Sequence, residues 1–177
     1  MNTICMSRVA LLWLSTALLS MPVWADIPSA SGDCESSVVE TTPSSAFTLL
    51  EDGAVVRHDD TGLEWQRCPV GMNWTEDGCD GSAQELTWEE ALQHADGESG
   101  WRLPNIKELR SIVERCTYEP AINQQVFPDT PSSAFWSASP RTGPGNYAWS
   151  LRFDEGFAST GGRSSSEFKV RLVRGGQ

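Results

Sequence analysis

The sequence is poor in positive charge, nearly without histidine, and has no apolar run long enough to cross a membrane. Against 24 aspartates and glutamates stand 13 lysines and arginines, and the formal net charge is −11. A phosphate-binding surface needs a cationic field, so nucleic acid is not an expected partner. His58 and His94 are the only histidines. A Ser/His/Asp arrangement would have to use one of them, and no nucleophile elbow marks either. The cysteines show no CxxC spacing, which with so few histidines argues against a zinc site. The longest apolar run, Val9 to Leu19, is about half of the roughly 20 residues a transmembrane helix requires. No internal repeat is visible, and no collagen-like Gly-X-Y array occurs.

What is present begins with an export pattern. Arg8 precedes the apolar run, and Val23 and Ala25 are the small residues signal peptidase needs, which predicts a signal peptide over residues 1–25 cleaved after Ala25. No lipobox cysteine follows the run, and Cys5 leaves with the peptide. Cleavage removes Arg8 and no acidic residue, so the mature chain carries a net charge of −12 on 152 residues, enough for one domain. It is expected in the periplasm, on the cell surface or outside the cell, and is not membrane-spanning. Cys34, Cys68, Cys79 and Cys116 survive processing. In an oxidising compartment they read as two disulfides, although four cysteines allow three connectivities. The favoured pairing is Cys68 with Cys79 across a short loop, leaving Cys34 to tie the N-terminal segment to Cys116.

Residues 26–46 are rich in Ser, Pro and Thr and read as a tether without a packed core. The folded domain, residues 47–177, is expected to open near Phe47. Ala54 to His58 and Leu63 to Arg67 read as strands around the polar turn Asp59-Asp60-Thr61-Gly62. Thr87-Trp88-Glu89-Glu90 has the capping-box form and starts a short helix ending near Asp96-Gly97. A second helix starts at Asn105 with Glu108 three residues on; Leu109, Ile112, Val113 and Cys116 fall on one face, which predicts a helix running to the cysteine. Beyond Pro120 the expectation is strands at Phe135 to Ser139, at Tyr147 to Phe153 with Tyr147, Trp149, Leu151 and Phe153 inward, and at Phe168 to Arg174 with Phe168, Val170 and Leu172 opposed to Lys169, Arg171 and Val173. Strands, two helices and more strands make an α+β domain.

The stretches Asp59-Asp60-Thr61-Gly62-Leu63-Glu64-Trp65-Gln66-Arg67, Thr87-Trp88-Glu89-Glu90-Ala91 and Trp101-Arg102-Leu103-Pro104-Asn105-Ile106-Lys107-Glu108-Leu109 resemble the Lcl C-terminal domain family. Phe135-Trp136-Ser137, Tyr147-Ala148-Trp149 and Val170-Arg171-Leu172-Val173-Arg174 fit it too, so the resemblance covers roughly Phe47 to Arg174. This bacterial domain is found at the end of collagen-like adhesins. The resemblance implies a C-type-lectin-like architecture related to formylglycine-generating folds, an extracellular setting, and for some members adhesion to polysaccharide. It implies no catalytic residues. The short tether here takes the place of a collagen-like stalk, so trimerisation driven by such a stalk is not implied.

Several residues invite a functional reading. Trp101, Arg102 and Pro104 are explained structurally by an indole filling the core, an ion pair from Arg102 to a carboxylate such as Glu108, and a proline fixing the approach to the helix. Trp65, Trp88, Trp136 and Trp149 sit on expected core faces, where one or two could line a sugar-stacking surface. Trp74, in a polar loop inside the Cys68 to Cys79 ring, is the candidate exposed contact, and Asn73-Trp74-Thr75 matches a glycosylation acceptor. Glu76, Asp77 and Asp80 could gather oxygens for calcium, though they do not match an EF-hand. Arg163, Lys169 and Arg171, near Arg174, could meet an anionic polysaccharide if Lys169 and Arg171 share a strand face. With the cysteines structural, no reactive thiol pair is left for an oxidase. The carboxylate separations that would identify a glycosidase are not legible in sequence. The expectation is a secreted, non-enzymatic, lectin-like recognition domain binding a polysaccharide or an envelope protein. The alternative is a structural or accessory subunit of an envelope assembly, and nothing specifies an oligomeric state.

Overall fold

The computed structural model describes Cys34, residues 38–165 and residues 167–176. The expected signal peptide, its cleavage site, Cys5 and most of the tether lie outside the described residues.

The Asp59 to Gly62 turn closes because the amides of Thr61 and Gly62 both reach the His58 carbonyl and Gly62 takes a φ of 67°. On either side of it lie β2 (Val55–His58) and β3 (Leu63–Gln66), antiparallel, with Val56 opposite Trp65. A strand ahead of them, β1 (Phe47–Leu50), pairs with β2, and β9 (Val173–Arg174) pairs with β3. The Cys68 to Gly81 stretch forms a hairpin of β4 (Met72–Thr75) and β5 (Gly78–Gly81). A second sheet has the order β6 (Ala134–Pro140), β7 (Tyr147–Arg152), β8 (Phe157–Gly162).

Two short helices complete the mixed architecture. Helix α1 (Trp88–Gly97) carries the expected capping box at Thr87 and Glu90. In α2 (Ile106–Ser111) the Asn105 side chain accepts the amides of Lys107 and Glu108 while Glu108 reaches back. This helix stops short of the length its apolar period predicts. The amides of Ile112 and Val113 drop back three residues, to Leu109 and Arg110, which tightens the last turn, and the Glu114 amide bonds to Ala121 instead of continuing the helix. Ile112 and Val113 are still buried, but Cys116 stands on the loop beyond. Among the described residues no helix is long and apolar enough to cross a membrane.

The tether expectation also changes. Thr42 and Ser44 are buried, and Asn123 donates to the Thr42 carbonyl and lies within hydrogen-bond reach of the Ser44 hydroxyl, so the ordered domain includes chain ahead of Phe47. Local composition missed this because the burying partners lie about 80 residues downstream.

The Phe168 to Arg174 segment is regular strand only in its last two residues, yet it joins the two sheets. Its Val170 and Leu172 carbonyls accept the amides of Val70 and Gln66, while Lys169 exchanges bonds with Ala134 and Trp136 on β6. Being covered from both sides, Val170, Arg171, Leu172 and Val173 are all fully buried, which corrects the expected alternation. In β7 the inward face is also inverted near its start: Ala148 and Ser150 are fully buried, Trp149 is half-buried and Tyr147 is 41% exposed. The reason is a partner's bulk. Trp136 stands opposite Ser150, and its indole stacks on Phe168 with centroids 3.9 Å apart over Gly161, so small residues must form the floor beneath them.

Candidate functional site

The disulfides pair Cys68 with Cys79 and Cys34 with Cys116, with Cα separations of 5.5 and 5.0 Å. The motif around Trp101 is a scaffold. Arg102 makes a bidentate ion pair with Glu108, both contacts 2.8 Å, and Glu108 also caps the Asn105 amide at 2.7 Å. Burial opposes ionisation of Glu108, but the bonds from Arg102 and the Asn105 amide outweigh it and hold the carboxyl below its usual range. Trp101 is half-buried under the Arg174 guanidinium, 4.5 Å from its ring. Pro104 is buried. Trp65 and Trp136 are fully buried, and Trp88 is anchored by its indole N–H to the Ser137 carbonyl at 2.8 Å.

The expected basic patch does not assemble. Arg171 is fully buried; one Nη1 donates to the Gln66 and Arg67 carbonyls, and Nη2 reaches the Thr130 hydroxyl. Beside it Arg67 donates to the carbonyls of Gly53, Gln125 and Val126. Neither guanidinium meets a carboxylate among the described residues. Burial lowers the pKa of Arg67 to about 10; burial and the Arg67 charge lower that of Arg171 to about 9, and both remain cations at neutral pH. Lys169 is held by Glu85 at 2.7 Å. Arg163 lies 4.3 Å over the Trp88 ring and donates to the Tyr147 carbonyl. Three cations grouped by sequence thus face an interior, a carboxylate and an indole.

Trp74 likewise packs onto the domain. It is half-buried on β4, with its N–H 3.1 Å from the Asp52 carbonyl and the Arg67 guanidinium 4.2 Å over its ring. Asn73 beside it is exposed, and Thr75 is turned to the Gly78 carbonyl. Glu76, Asp77 and Asp80 lie exposed along that hairpin and do not gather into a three-carboxylate set. The one trio of metal-ligating types that converges among the described residues is Cys34, Glu114 and Cys116. Its sulfurs are joined to each other and its carboxylate is saturated by hydrogen bonds, so it does not fit a metal.

A cleft of about 480 Å³ opens between the end of α2 and the β7–β8 turn, lined among others by Arg110, Glu114, Arg115, Thr117, Glu155 and Phe157. Arg110 and Arg115 are exposed, and their guanidiniums have no carboxylate partner among the described residues. Phe157 is 46% exposed and Tyr118, next to Thr117, is 77% exposed. Gly156 supports this wall: a Cβ there would stand 2.9 Å from Val113 and 3.0 Å from Ala121. The cleft therefore offers two planar cations, unpaired among the described residues, beside aromatic surface, the combination that recognises an anionic group on a partly apolar ligand.

Glu114 shapes the floor of the cleft. It is 2% exposed, and its oxygens accept the amides of Thr41, Thr42 and Cys116 and lie within hydrogen-bond reach of both threonine hydroxyls. Burial opposes its ionisation; the Thr41, Thr42 and Cys116 amides and the Thr42 hydroxyl outweigh that and lower its pKa. Sequence reasoning passed over Arg110, Glu114, Arg115 and Phe157. One signal was present: Arg110 falls outside the apolar stripe of Leu109, Ile112 and Cys116, on the flank of the helix.

Residues 54–174 match the sequence profile of the Lcl C-terminal domain. The chain belongs to this family. No curated protein matches the chain. The matched Lcl C-terminal domain contains Arg110, Arg115, Phe157 and Cys116, whereas Cys34, Thr41, Thr42 and β1 precede it. The cleft thus lies inside the family region, whereas Thr41, Thr42 and Cys34, which bond to Glu114 and Cys116 behind it, lie outside.

Proposed function

We propose that this Lcl C-terminal domain is an exported, non-enzymatic, lectin-like recognition domain that binds an anionic polysaccharide at the cell envelope. The observation that carries the reading is the Arg110/Arg115 cleft: two exposed guanidiniums that meet no carboxylate among the described residues of a strongly acidic chain. Carboxylate or sulfate groups suit those planar donors, and the apolar face of a pyranose suits Phe157 and Tyr118. Short antiparallel strands, two short helices and two disulfides support a lectin-like architecture and an oxidising compartment. His58, stacked on Phe47 with centroids 4.8 Å apart and 6% exposed, has its pKa lowered by burial and suits packing better than proton transfer.

The test is a polysaccharide array at physiological salt. Binding to uronate or sulfate polymers that weakens about tenfold in Arg110→Ser with Arg115→Ser, and falls with added salt, is expected. Binding unchanged by the double substitution, or an absence of binding across the array, overturns the reading. The exposed Tyr118 beside arginines favours one second reading, a docking surface for an envelope protein, because Tyr and Arg dominate protein hot spots. Co-purification of a specific partner that Tyr118→Ala abolishes would select it.

A further inference from the structure

The two disulfides differ in access. Cys68 and Cys79 are 6% and 9% exposed, whereas Cys34 and Cys116 are both half-buried. They differ also in what they hold. Cys68–Cys79 ties the chain just ahead of β4 to β5 of the same hairpin, but Cys34–Cys116 joins segments 82 residues apart, next to the cleft. From Ile112 to Pro120 the chain has neither helix nor strand, so its course depends on bonds from outside. The Glu119 amide donates to the Asp154 carbonyl and the Glu114 amide to the Ala121 carbonyl. Around Val113 to Arg115 further bonds come from the N-terminal segment: Thr41 Oγ1 lies 3.0 Å from the Val113 carbonyl, the Arg115 amide donates to Thr41 Oγ1 at 2.9 Å, and the Thr41 and Thr42 amides end on Glu114.

We propose that the Cys34–Cys116 disulfide is a site of thiol–disulfide exchange, and that its reduction loosens the N-terminal segment from Glu114 and disorders the Arg110/Arg115 cleft. As regulation of that cleft, it rests on the proposed function. The reductant is a dithiol. Its thiolate attacks one of the two sulfurs, breaking the Cys34–Cys116 bond and expelling the other as a thiolate. The second thiol of the reductant then resolves the mixed disulfide. Two electrons pass to the cystine; the protons of the dithiol end on Cys34 and Cys116, and the reductant leaves as its own disulfide. Nucleophilic access to a sulfur controls the first step, and that favours the half-buried bond over the buried one.

The experiment titrates the mature full chain with dithiothreitol, traps thiols with iodoacetamide and maps them by mass spectrometry. Cys34 and Cys116 are expected to alkylate at about tenfold less reductant than Cys68 and Cys79. In that half-reduced protein, amide exchange is expected to rise about tenfold at Thr41, Thr42, Arg115 and Cys116 while β2 and β3 stay protected. Binding of polygalacturonate is expected to fall with it. The Cys34→Ser, Cys116→Ser double variant should show the same exchange pattern without reductant. Simultaneous opening of both disulfides, or unchanged exchange around Thr41 and Arg115 after selective opening, overturns the proposal. Failure of the oxidised protein to bind polygalacturonate counts against the proposed function instead, and the alkylation order and exchange pattern then decide the role of the Cys34–Cys116 disulfide alone.

Discussion

Replacing Glu114 tests whether a single buried carboxylate holds the N-terminal segment to the cleft. In Glu114→Ala the amides of Thr41, Thr42 and Cys116 lose their acceptor together, and the site, 2% exposed, gives water little access. A hydrogen bond to a charged group contributes about 1.5–3 kcal/mol, but bonds sharing one carboxylate are not additive, and removing the charge relieves its own desolvation. The expected loss is about 3 kcal/mol, near a 10 °C fall in Tm for a domain of this size. Glu114→Gln keeps the length and one acceptor but turns an NH2 toward donors, so it should lose about half as much. The pH dependence separates charge from shape. The folded pKa of Glu114 is lowered, so ionisation adds stability that is fully present above the unfolded value, about 4.3, and is lost as pH falls through the folded value beneath it. The Tm gap between the natural chain and Glu114→Gln should therefore be largest near neutrality and shrink toward pH 3. Thermal melts across that range measure it. A gap that stays constant, or one absent at neutral pH, refutes the reasoning.

Four other substitutions probe separate parts of the fold. Arg171→Lys should cost about 2 kcal/mol, because one ammonium cannot span the Gln66 and Arg67 carbonyls and the Thr130 hydroxyl; urea unfolding should show a lower midpoint with the slope unchanged. Gly161→Ala would set a Cβ 2.4 Å from Phe168 and 2.6 Å from Trp136 and should cost about 2 kcal/mol, whereas Gly162→Ala, with nothing within 4 Å, should be near neutral in the same assay. Arg102→Ala breaks a bidentate pair whose side chains are 33% and 14% exposed; solvent screening limits the loss to about 1 kcal/mol, and added salt should reduce the difference in melting temperature.

Local signals in the sequence were followed closely wherever the folding partners were near. Both capping boxes form at the expected residues, since a cap is a contact between positions three apart. The Asp59 to Gly62 turn and its flanking strands obey the same logic. So does the Arg102 to Glu108 pair. Where the partner was distant, sequence pattern misled: α2 ends before Cys116 because the chain turns inward to set Glu114 against Thr41 and Thr42, and β7 inverts because Trp136 and Phe168 occupy the space above Ala148 and Gly161.

By itself the sequence determined the acidic balance, the cysteine count, the α+β class and the family, because composition, capping and motif spacing are written along the chain. Only the tertiary structure decided which charges are free. Arg171 and Lys169 looked available in one strand, yet one is enclosed between two sheets and the other is paired with Glu85. Arg110 and Arg115 drew no notice in sequence and stand open at a cleft. A charge is exposed or neutralised by what packs against it, and for these residues that packing comes from segments far away in the chain.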